Sequence, residues 1–207
     1  CKRHWRKCKI MKVLVVGLIY GSRSLETLEE TLKRSGYSAD VILINQEGIA
    51  QAMNMGLDVF HEGNYDAIAY LANDILEPDN WLLSKIEALQ LYHNAGIVAS
   101  SLDFERKEIT CEHIISNWLI SKAVIDAIGE FNESMFPYGP IDLDYVERAW
   151  VAGFKTYYVK NCLAVHNGSH AEGNEYGWNK QELVNKFWQQ HQYDIVGYRN
   201  GSKPVKI

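Results

Sequence analysis

The stretch around Asp74 combines residue types and a position that are suited to binding a cation or a phosphate. Asp74 and Asn73 directly follow the apolar run 67–72. A short apolar run of this composition predicts a buried core strand rather than a helix. A carboxylate at the end of such a strand lies at the mouth of an α/β sheet, where ligands of these folds bind, and a hard cation bridging to phosphate oxygens requires one. The alternative is a simple strand-ending turn, because Asn-Asp is ordinary turn chemistry.

A second acidic stretch runs from Asp142 to Arg148, within a helix predicted over 141–152. Asp142 falls in the first helical turn behind Pro140, where free N–H groups and the helix dipole stabilise a carboxylate. An ionised carboxylate suits a general base acting on a hydroxyl. Helix capping is the alternative explanation. Asp144 and Arg148 are four residues apart and are expected to form an ion pair on the helix surface.

A third candidate is His166, at the end of a strand predicted over 163–166. A small-residue loop follows it. A neutral imidazole at that position can bind a divalent metal. The alternative is a strand-end histidine that is hydrogen-bonded to the backbone.

Alternating strands and helices are predicted to position these three stretches. The first links are short, so strand, helix and strand form a right-handed βαβ unit whose second strand, 40–44, is buried. The sequence therefore predicts an α/β domain. Strands are expected at 12–20, 40–44, 67–71, 97–99, 113–120, 155–159 and 163–166, and helices at 24–36, 48–60, 78–93, 121–128, 141–152 and 179–192.

Length, composition and charge favour one ordinary globular domain. The chain has 207 residues, of which 47% are hydrophobic and 23% are charged, and its formal net charge is -5. These values suit a single soluble domain and argue against nucleic acid as the main partner. The basic residues 1–10 are expected to be a frayed or non-native leader. Four cysteines without a CxxC pair predict reduced thiols in a cytoplasmic setting, and no apolar run is long enough for a transmembrane helix.

The order of these features resembles glycosyltransferases of the GT-A fold, and most of all the inverting family-two enzymes that include rhamnosyltransferases. The series is a strand with Asn-Asp, an aromatic loop, an Asp-x-Asp helix, a glycine, a strand and a strand-end histidine. Family features are replaced at Asn45, Ala72 and Ile141, where the family usually carries an acid. The matching pieces are the turn 19–23, the helix with Gly48, Asn54 and Gly56, Ala72-Asn73-Asp74, the block 131–148 and Val165-His166.

The resemblance implies one GT-A domain over 11–177, with a mixed, mostly parallel, Rossmann-like sheet flanked by helices. Residues 11–75 would form its nucleotide-sugar half and 76–177 its acceptor half, followed by a C-terminal helix and tail over 178–207. The implied reaction is inverting, metal-assisted transfer of a sugar from a nucleotide-diphospho-sugar, such as a UDP-sugar, to a hydroxyl of a glycan acceptor.

The resemblance also implies roles for individual residues. Mn²⁺ or Mg²⁺ would bind at Asp74 and His166, and Asp142 would act as general base. Tyr20, Asn45, Gly48, Asn54 and Asn73 would contact the donor nucleotide, and Trp118, Tyr138 and Asp144 would contact the acceptor. The aromatic residues of that acceptor group are equally compatible with places in the core.

Two other functions remain open from the sequence. A sugar-phosphate nucleotidyltransferase would use the same sheet and a strand-end aspartate, although 21–23 is a poor version of its glycine-rich phosphate loop. A degenerate sugar-nucleotide-binding module would explain Ala72 and Ile141. A compact enzyme and one domain of a larger polypeptide both fit the length.

Overall fold

The computed structural model describes residues 10–19, 25–46, 48–102, 117–135 and 141–167. Strands and helices alternate along most of this length. The strands are β1 (Val13–Ile19), β2 (Asp40–Asn45), β3 (Ala67–Ala72), β4 (Ile75–Leu76), β5 (Ala95–Leu102), β6 (Trp118–Ser121) and β7 (Lys155–His166), and the helices are α1 (Glu26–Lys33), α2 (Ile49–Gly63), α3 (Trp81–Leu91), α4 (Lys122–Ile128) and α5 (Ile141–Val151), with a short 3-10 turn over Glu133–Met135.

The strands within the described residues form one mixed sheet in the order β2-β1-β3-β6-β5-β7-β4. β1 is parallel to β2 and to β3, and β5 is parallel to β7. β6 runs antiparallel between β3 and β5, and β4 pairs antiparallel with β7. The predicted α/β class with a mixed sheet flanked by helices is therefore confirmed.

Both faces of the sheet are covered by helices, as the alternation of side chains along β1 shows. Leu14 and Val16 pack into a core cluster that contains Leu57 of α2 and Tyr145 of α5. Val13 and Val15 point to the opposite face, where the cluster includes Leu28 of α1 and Trp81 of α3. Successive side chains of a strand point to opposite faces, so a continuous apolar run is what a strand between two helical layers requires.

The prediction that residues 40–44 form a buried strand is wrong in its burial. β2 is the edge strand of the sheet and pairs only with β1 among the described strands. Val41 and Leu43 are 46% and 50% exposed. An apolar run indicates a strand but does not distinguish a central position from an edge.

The remaining differences concern where elements begin and end. The predicted helix 78–93 begins at Trp81, because Asn80 precedes it in a left-handed conformation with φ of 59°. The two short strands predicted at 155–159 and 163–166 are one strand, β7, whose pairing with β5 is irregular between Ala99 and Ser101. The predicted capping of α4 by Ser121 is confirmed, since its side chain accepts a hydrogen bond from the N–H of Val124.

Several predictions fall outside the described residues: the leader 1–10 except for its last residue, the first part of the strand 113–120, and the C-terminal helix 179–192. Within the described residues, none of the helices has the length and apolar character that a bilayer crossing requires.

Candidate active site

Asp74 and His166, both predicted as metal ligands, lie side by side. β3 ends at Ala72, Asn73 and Asp74 form a turn, and β4 then begins at Ile75, which pairs with His166 of β7. Asp74 Oδ2 is 3.4 Å from His166 Nε2. The backbone carbonyl of Asp74 also accepts a hydrogen bond of 2.8 Å from the N–H of Asn167. Residues distant in sequence thus meet because β4 and β7 are strand neighbours.

This pair fits a shared divalent cation. Two atoms that each bind one cation at about 2.1 Å are at most about 4.2 Å apart, and 3.4 Å is within that limit. Both side chains remain partly accessible, with exposed fractions of 17% for His166 and 15% for Asp74. The described residues contain no group of three or more potential ligands of the His, Cys, Asp and Glu types. Two protein ligands with substrate phosphate oxygens and water in the other positions are typical of Mg²⁺-type sites.

The two aspartates at the start of α5 differ in their surroundings. Asp144 is only 2% exposed, and its Oδ2 is 2.9 Å from a terminal nitrogen of Arg148. Arg148 also donates hydrogen bonds to the carbonyls of Ile128 and Glu130. The predicted ion pair therefore exists, but the carboxylate is buried instead of lying on the surface. The acceptor contact of Asp144 stays a prediction. Asp142 is in the first helical turn and is partly exposed.

Glu147, on the same helix, is a buried acid for which the sequence predicts no role. It is 2% exposed, and neither carboxylate oxygen has a hydrogen-bond partner in the described part of the chain. Burial, with a further contribution from the nearby Asp144 charge, raises the pKa of Glu147 to about 8. The spacing of three residues between Asp144 and Glu147 indicates that both lie on one face of the helix.

Glu147→Leu is expected to stabilise the protein, increasingly so as the pH rises. The pKa of the folded wild type, about 8, is above the ordinary 4.5, so between these values the folded state retains a proton that the unfolded state has lost. The wild type should therefore lose unfolding free energy relative to the variant by up to about 1.4 kcal/mol per pH unit across this window. Urea denaturation of both proteins at pH 5 and pH 9 measures the difference. A difference that does not change with pH would contradict this assignment.

Asn54 fastens a distant backbone segment onto α2. Its Nδ2 donates to the carbonyl of Phe131 at 3.1 Å and to Oε1 of Glu133 at 2.8 Å. Its Oδ1 accepts from the N–H of Phe131 at 2.8 Å. With 8% exposure and these three hydrogen bonds, Asn54 has a structural role that the sequence did not reveal. Its predicted nucleotide contact has no support in these hydrogen bonds.

Asn54→Ala is expected to lower the free energy of unfolding by about 2–3 kcal/mol, because it leaves the buried backbone groups of Phe131 without partners. Met55→Ala, one residue further along α2 at a position that is 48% exposed, is the control and should change stability by less than about 0.5 kcal/mol. Urea denaturation measures both. Equal stability of the two variants would show that the Asn54 hydrogen bonds contribute little.

The other predicted nucleotide residues are dispersed. Asn45 is exposed at the end of β2, and Gly48 is buried at the cap of α2. Asn73 is 3% exposed in the turn beside Asp74. Tyr20 lies outside the described residues. For these four residues a nucleotide contact stays a prediction.

Trp118 occupies the core and is not an exposed acceptor platform. It is 4% exposed, and its ring centroid lies 6.1 Å from that of Phe131 and 6.2 Å from that of Tyr145. Phe131 and Tyr145 stack with centroids 4.0 Å apart. The core alternative therefore holds for Trp118, while Tyr138 lies outside the described residues.

Comparison with known proteins yields similar structures but no similar sequences: neither protein-family models nor curated sequences match this chain. One similar structure is GalNAc-T7 with UDP, GalNAc and Mn²⁺, with a TM-score of 0.66 and 12% identity over 91% of this chain and 49% of that one. Another is the mannosyltransferase PcManGT from Pyrobaculum calidifontis with GDP-Man and Mn²⁺, with a TM-score of 0.58 and 12% identity over 80% of this chain and 59% of that one.

A third similar structure is the catalytic domain of Drosophila beta1,4galactosyltransferase 7 with xylobiose, with a TM-score of 0.60 and 16% identity over 89% of this chain and 86% of that one. The chain thus spans about half the length of the GalNAc-T7 structure and most of the Drosophila domain. At these identities the likeness establishes the fold. The chain has the GT-A fold, and the comparisons assign it to no family.

Proposed function

We propose that this protein is a metal-assisted, inverting glycosyltransferase that moves a sugar from a nucleotide-diphospho-sugar to a hydroxyl of a glycan acceptor. The observation that carries the proposal is the approach of Asp74 and His166 to 3.4 Å in a chain that has the GT-A fold. These are the two residues that the sequence resemblance marks for the metal. They come from separate strands, so the fold itself assembles the pair.

In this proposal Asp74 and His166 hold Mn²⁺ or Mg²⁺ through a carboxylate oxygen and an imidazole nitrogen. When bound, such a cation supplies Lewis-acid neutralisation of the charge that develops on a departing diphosphate. Asn45, which is exposed at the end of β2, contacts the donor nucleotide. Ends of neighbouring parallel strands are the usual ligand position of such sheets.

Asp142 is proposed as the general base. An acceptor hydroxyl oxygen attacks the anomeric carbon, the bond from that carbon to the diphosphate oxygen breaks, and the hydroxyl proton passes to the Asp142 carboxylate. Attack opposite to the leaving group inverts the anomeric configuration. Of the three acids on α5, Asp144 and Glu147 are 2% exposed while Asp142 is partly exposed, which favours Asp142 for contact with an acceptor.

The donor is proposed to be a UDP-sugar, in line with the sequence resemblance and with the UDP present in the GalNAc-T7 structure. The PcManGT structure holds GDP-Man, so a guanine nucleotide is the main competing donor. Asn45, which replaces the acid of the family's uridine turn, is the position at which the base preference would be tested.

The test is to incubate the protein with UDP- and GDP-sugars, Mn²⁺ and a panel of glycan acceptors, and to measure the release of nucleoside diphosphate. A parallel reaction contains a nucleoside triphosphate and a sugar phosphate, and pyrophosphate is measured. Acceptor-dependent release of a nucleoside diphosphate supports the proposal. Pyrophosphate formation from a nucleoside triphosphate and a sugar phosphate would instead indicate a nucleotidyltransferase. A thermal shift with a nucleotide sugar but without turnover would indicate a binding module.

A further inference from the structure

A fully buried ion pair follows β4 in the chain and has no role in the reaction described above. Glu77, the residue after β4, and Lys85 of α3 are both 0% exposed, and Lys85 Nζ lies 2.9 Å from Glu77 Oε1. Desolvation of two charges offsets most of their attraction, so such a pair contributes little net stability compared with apolar residues of similar volume. The pair does fix the positions of the groups that are hydrogen-bonded to it. Its other hydrogen bonds show which groups these are.

Lys85 connects the ion pair to the end of β3 through hydrogen bonds. Lys85 Nζ donates a second hydrogen bond, of 2.7 Å, to the carbonyl of Asn117. The side-chain Oδ1 of Asn117 in turn accepts the backbone N–H of Ala72 at 2.9 Å. Asn117 has a left-handed backbone with φ of 45°, and its Nδ2 has no partner in the described part of the chain. The side-chain amide of Asn117 is thus oriented so that its oxygen accepts the N–H of Ala72, the last residue of β3.

Glu77 holds the other side of the turn that carries Asp74. The second carboxylate oxygen of Glu77 accepts the hydroxyl of Ser100 on β5. The N–H of Glu77 donates to Oγ1 of Thr31 at 3.2 Å, and that hydroxyl donates to the carbonyl of Ile75 at 3.1 Å. β4 is therefore bracketed by hydrogen bonds at its first residue and directly after its last one.

Asp74 lies between these two anchored points, with Ala72 on one side and Ile75 on the other. We propose that Lys85 and Glu77 are positioning residues that set the placement of Asp74 relative to His166, and thereby the affinity for a divalent cation. The inference rests on the metal site of the proposed function. In this inference Lys85 and Glu77 hold the turn that carries Asp74. Residues that are hydrogen-bonded to metal ligands orient those ligands in the same way in other sites.

The test compares Mn²⁺ affinity with stability in the full chain, using Lys85→Met, Glu77→Leu and the double variant. Electron paramagnetic resonance of free Mn²⁺, alone and with UDP, gives the affinity, and urea denaturation gives the stability. The single Lys85→Met variant should be much less stable because it leaves a buried carboxylate without its cation. The double variant should recover a denaturation midpoint close to that of the wild type while its Mn²⁺ affinity stays about 10- to 100-fold lower.

Three further variants extend the comparison. Glu77→Gln keeps an acceptor for Lys85 but leaves the buried ammonium without its anion, so its stability should fall while the Mn²⁺ affinity of the folded protein stays within about 3-fold of the wild type. Lys122→Met removes a Lys–Asp pair on α4 whose side chains are 50% and 51% exposed, and it should leave both affinity and stability unchanged. Ser100→Ala, which removes a single hydrogen bond to Glu77, covers the case in which the double variant does not fold, and a loss of about 3-fold is expected.

A folded double variant with wild-type Mn²⁺ affinity overturns the inference and leaves the proposed function intact. Unchanged affinity in Ser100→Ala does the same where the double variant is unfolded. A wild-type protein that binds no Mn²⁺ removes the metal assignment of the proposed function, and the positioning role falls with it. Recovered stability without recovered affinity is the result that supports it.

Discussion

Asp74→Ala is expected to weaken Mn²⁺ binding by more than about 100-fold, since removing a direct ligand should exceed the 10- to 100-fold loss seen for supporting residues. The imidazole of His166 would remain as a single protein ligand. Stability should change by less than about 1 kcal/mol, because the Asp74–His166 pair is partly exposed. Titration of Mn²⁺ followed by electron paramagnetic resonance measures the loss.

The companion variants make this result specific. His166→Ala should produce a loss of similar size. The loss of binding free energy in the double variant should be smaller than the sum of the two single losses, because both side chains bind one cation. Asp79→Ala is the matched control, since this carboxylate is near in sequence but has a side chain that is 83% exposed. If Asp74→Ala bound Mn²⁺ as the wild type does, the metal assignment would be wrong.

Asp142→Asn is expected to reduce kcat for sugar transfer by about 10²- to 10⁴-fold, the usual contribution of a positioned general base. Asparagine preserves the size of the side chain but cannot accept the acceptor proton. Donor affinity and Mn²⁺ affinity should stay close to those of the wild type, because Asp142 lies on α5 and the proposed metal ligands lie on the β3–β4 turn and β7. Steady-state kinetics with both substrates varied separates these effects.

Glu147→Gln is the control on the same helix. Its acid is 2% exposed and is expected to be of little use to an acceptor, so turnover should fall less than about 3-fold. The reverse pattern, with Glu147→Gln inactive and Asp142→Asn active, would move the general base to the buried acid. Near wild-type turnover in both variants would exclude a base on this helix.

The sequence predicted the elements of the fold well where the local signal was strong. β1 is an apolar run rich in β-branched residues, β3 is a short apolar run, and α4 has a serine cap at Ser121 and a glycine at its C-terminal end, Gly129. It failed where position in the sheet decides the outcome. Val41 and Leu43 look as buried as any strand residue, and only the strand order reveals that β2 is an edge.

For the site residues, too, the sequence carries the local position but not the tertiary pairing. The sequence identifies Asp74 and His166 separately, each by its place at a strand end. Their approach depends on β4, which has two residues and therefore no periodic pattern. Their side-by-side placement is therefore a property of the tertiary pairing. The order of motifs along the chain, which the resemblance used, carried more information than either position.

The sequence contains a partial signal for the buried Lys85–Glu77 pair. Lys85 is four residues after Trp81 and three after Leu82, and both of those residues are 0% exposed. A lysine on the apolar stripe of a helix must reach an acidic partner or solvent. Its partner Glu77 precedes α3 in an irregular segment, so periodicity alone does not pair the two.

The pairing of β4 with β7 has a consequence for the order of events during synthesis. Residue 166 follows residue 74 by 92 positions, so at the usual rates of translation the Asp74 turn waits roughly 5–18 s for its histidine partner. The strands β1, β2 and β3 can associate in that interval, since all precede α3. The Asp74–His166 pair, and with it the proposed metal site, then forms late in the nascent chain, when β7 docks between β5 and β4.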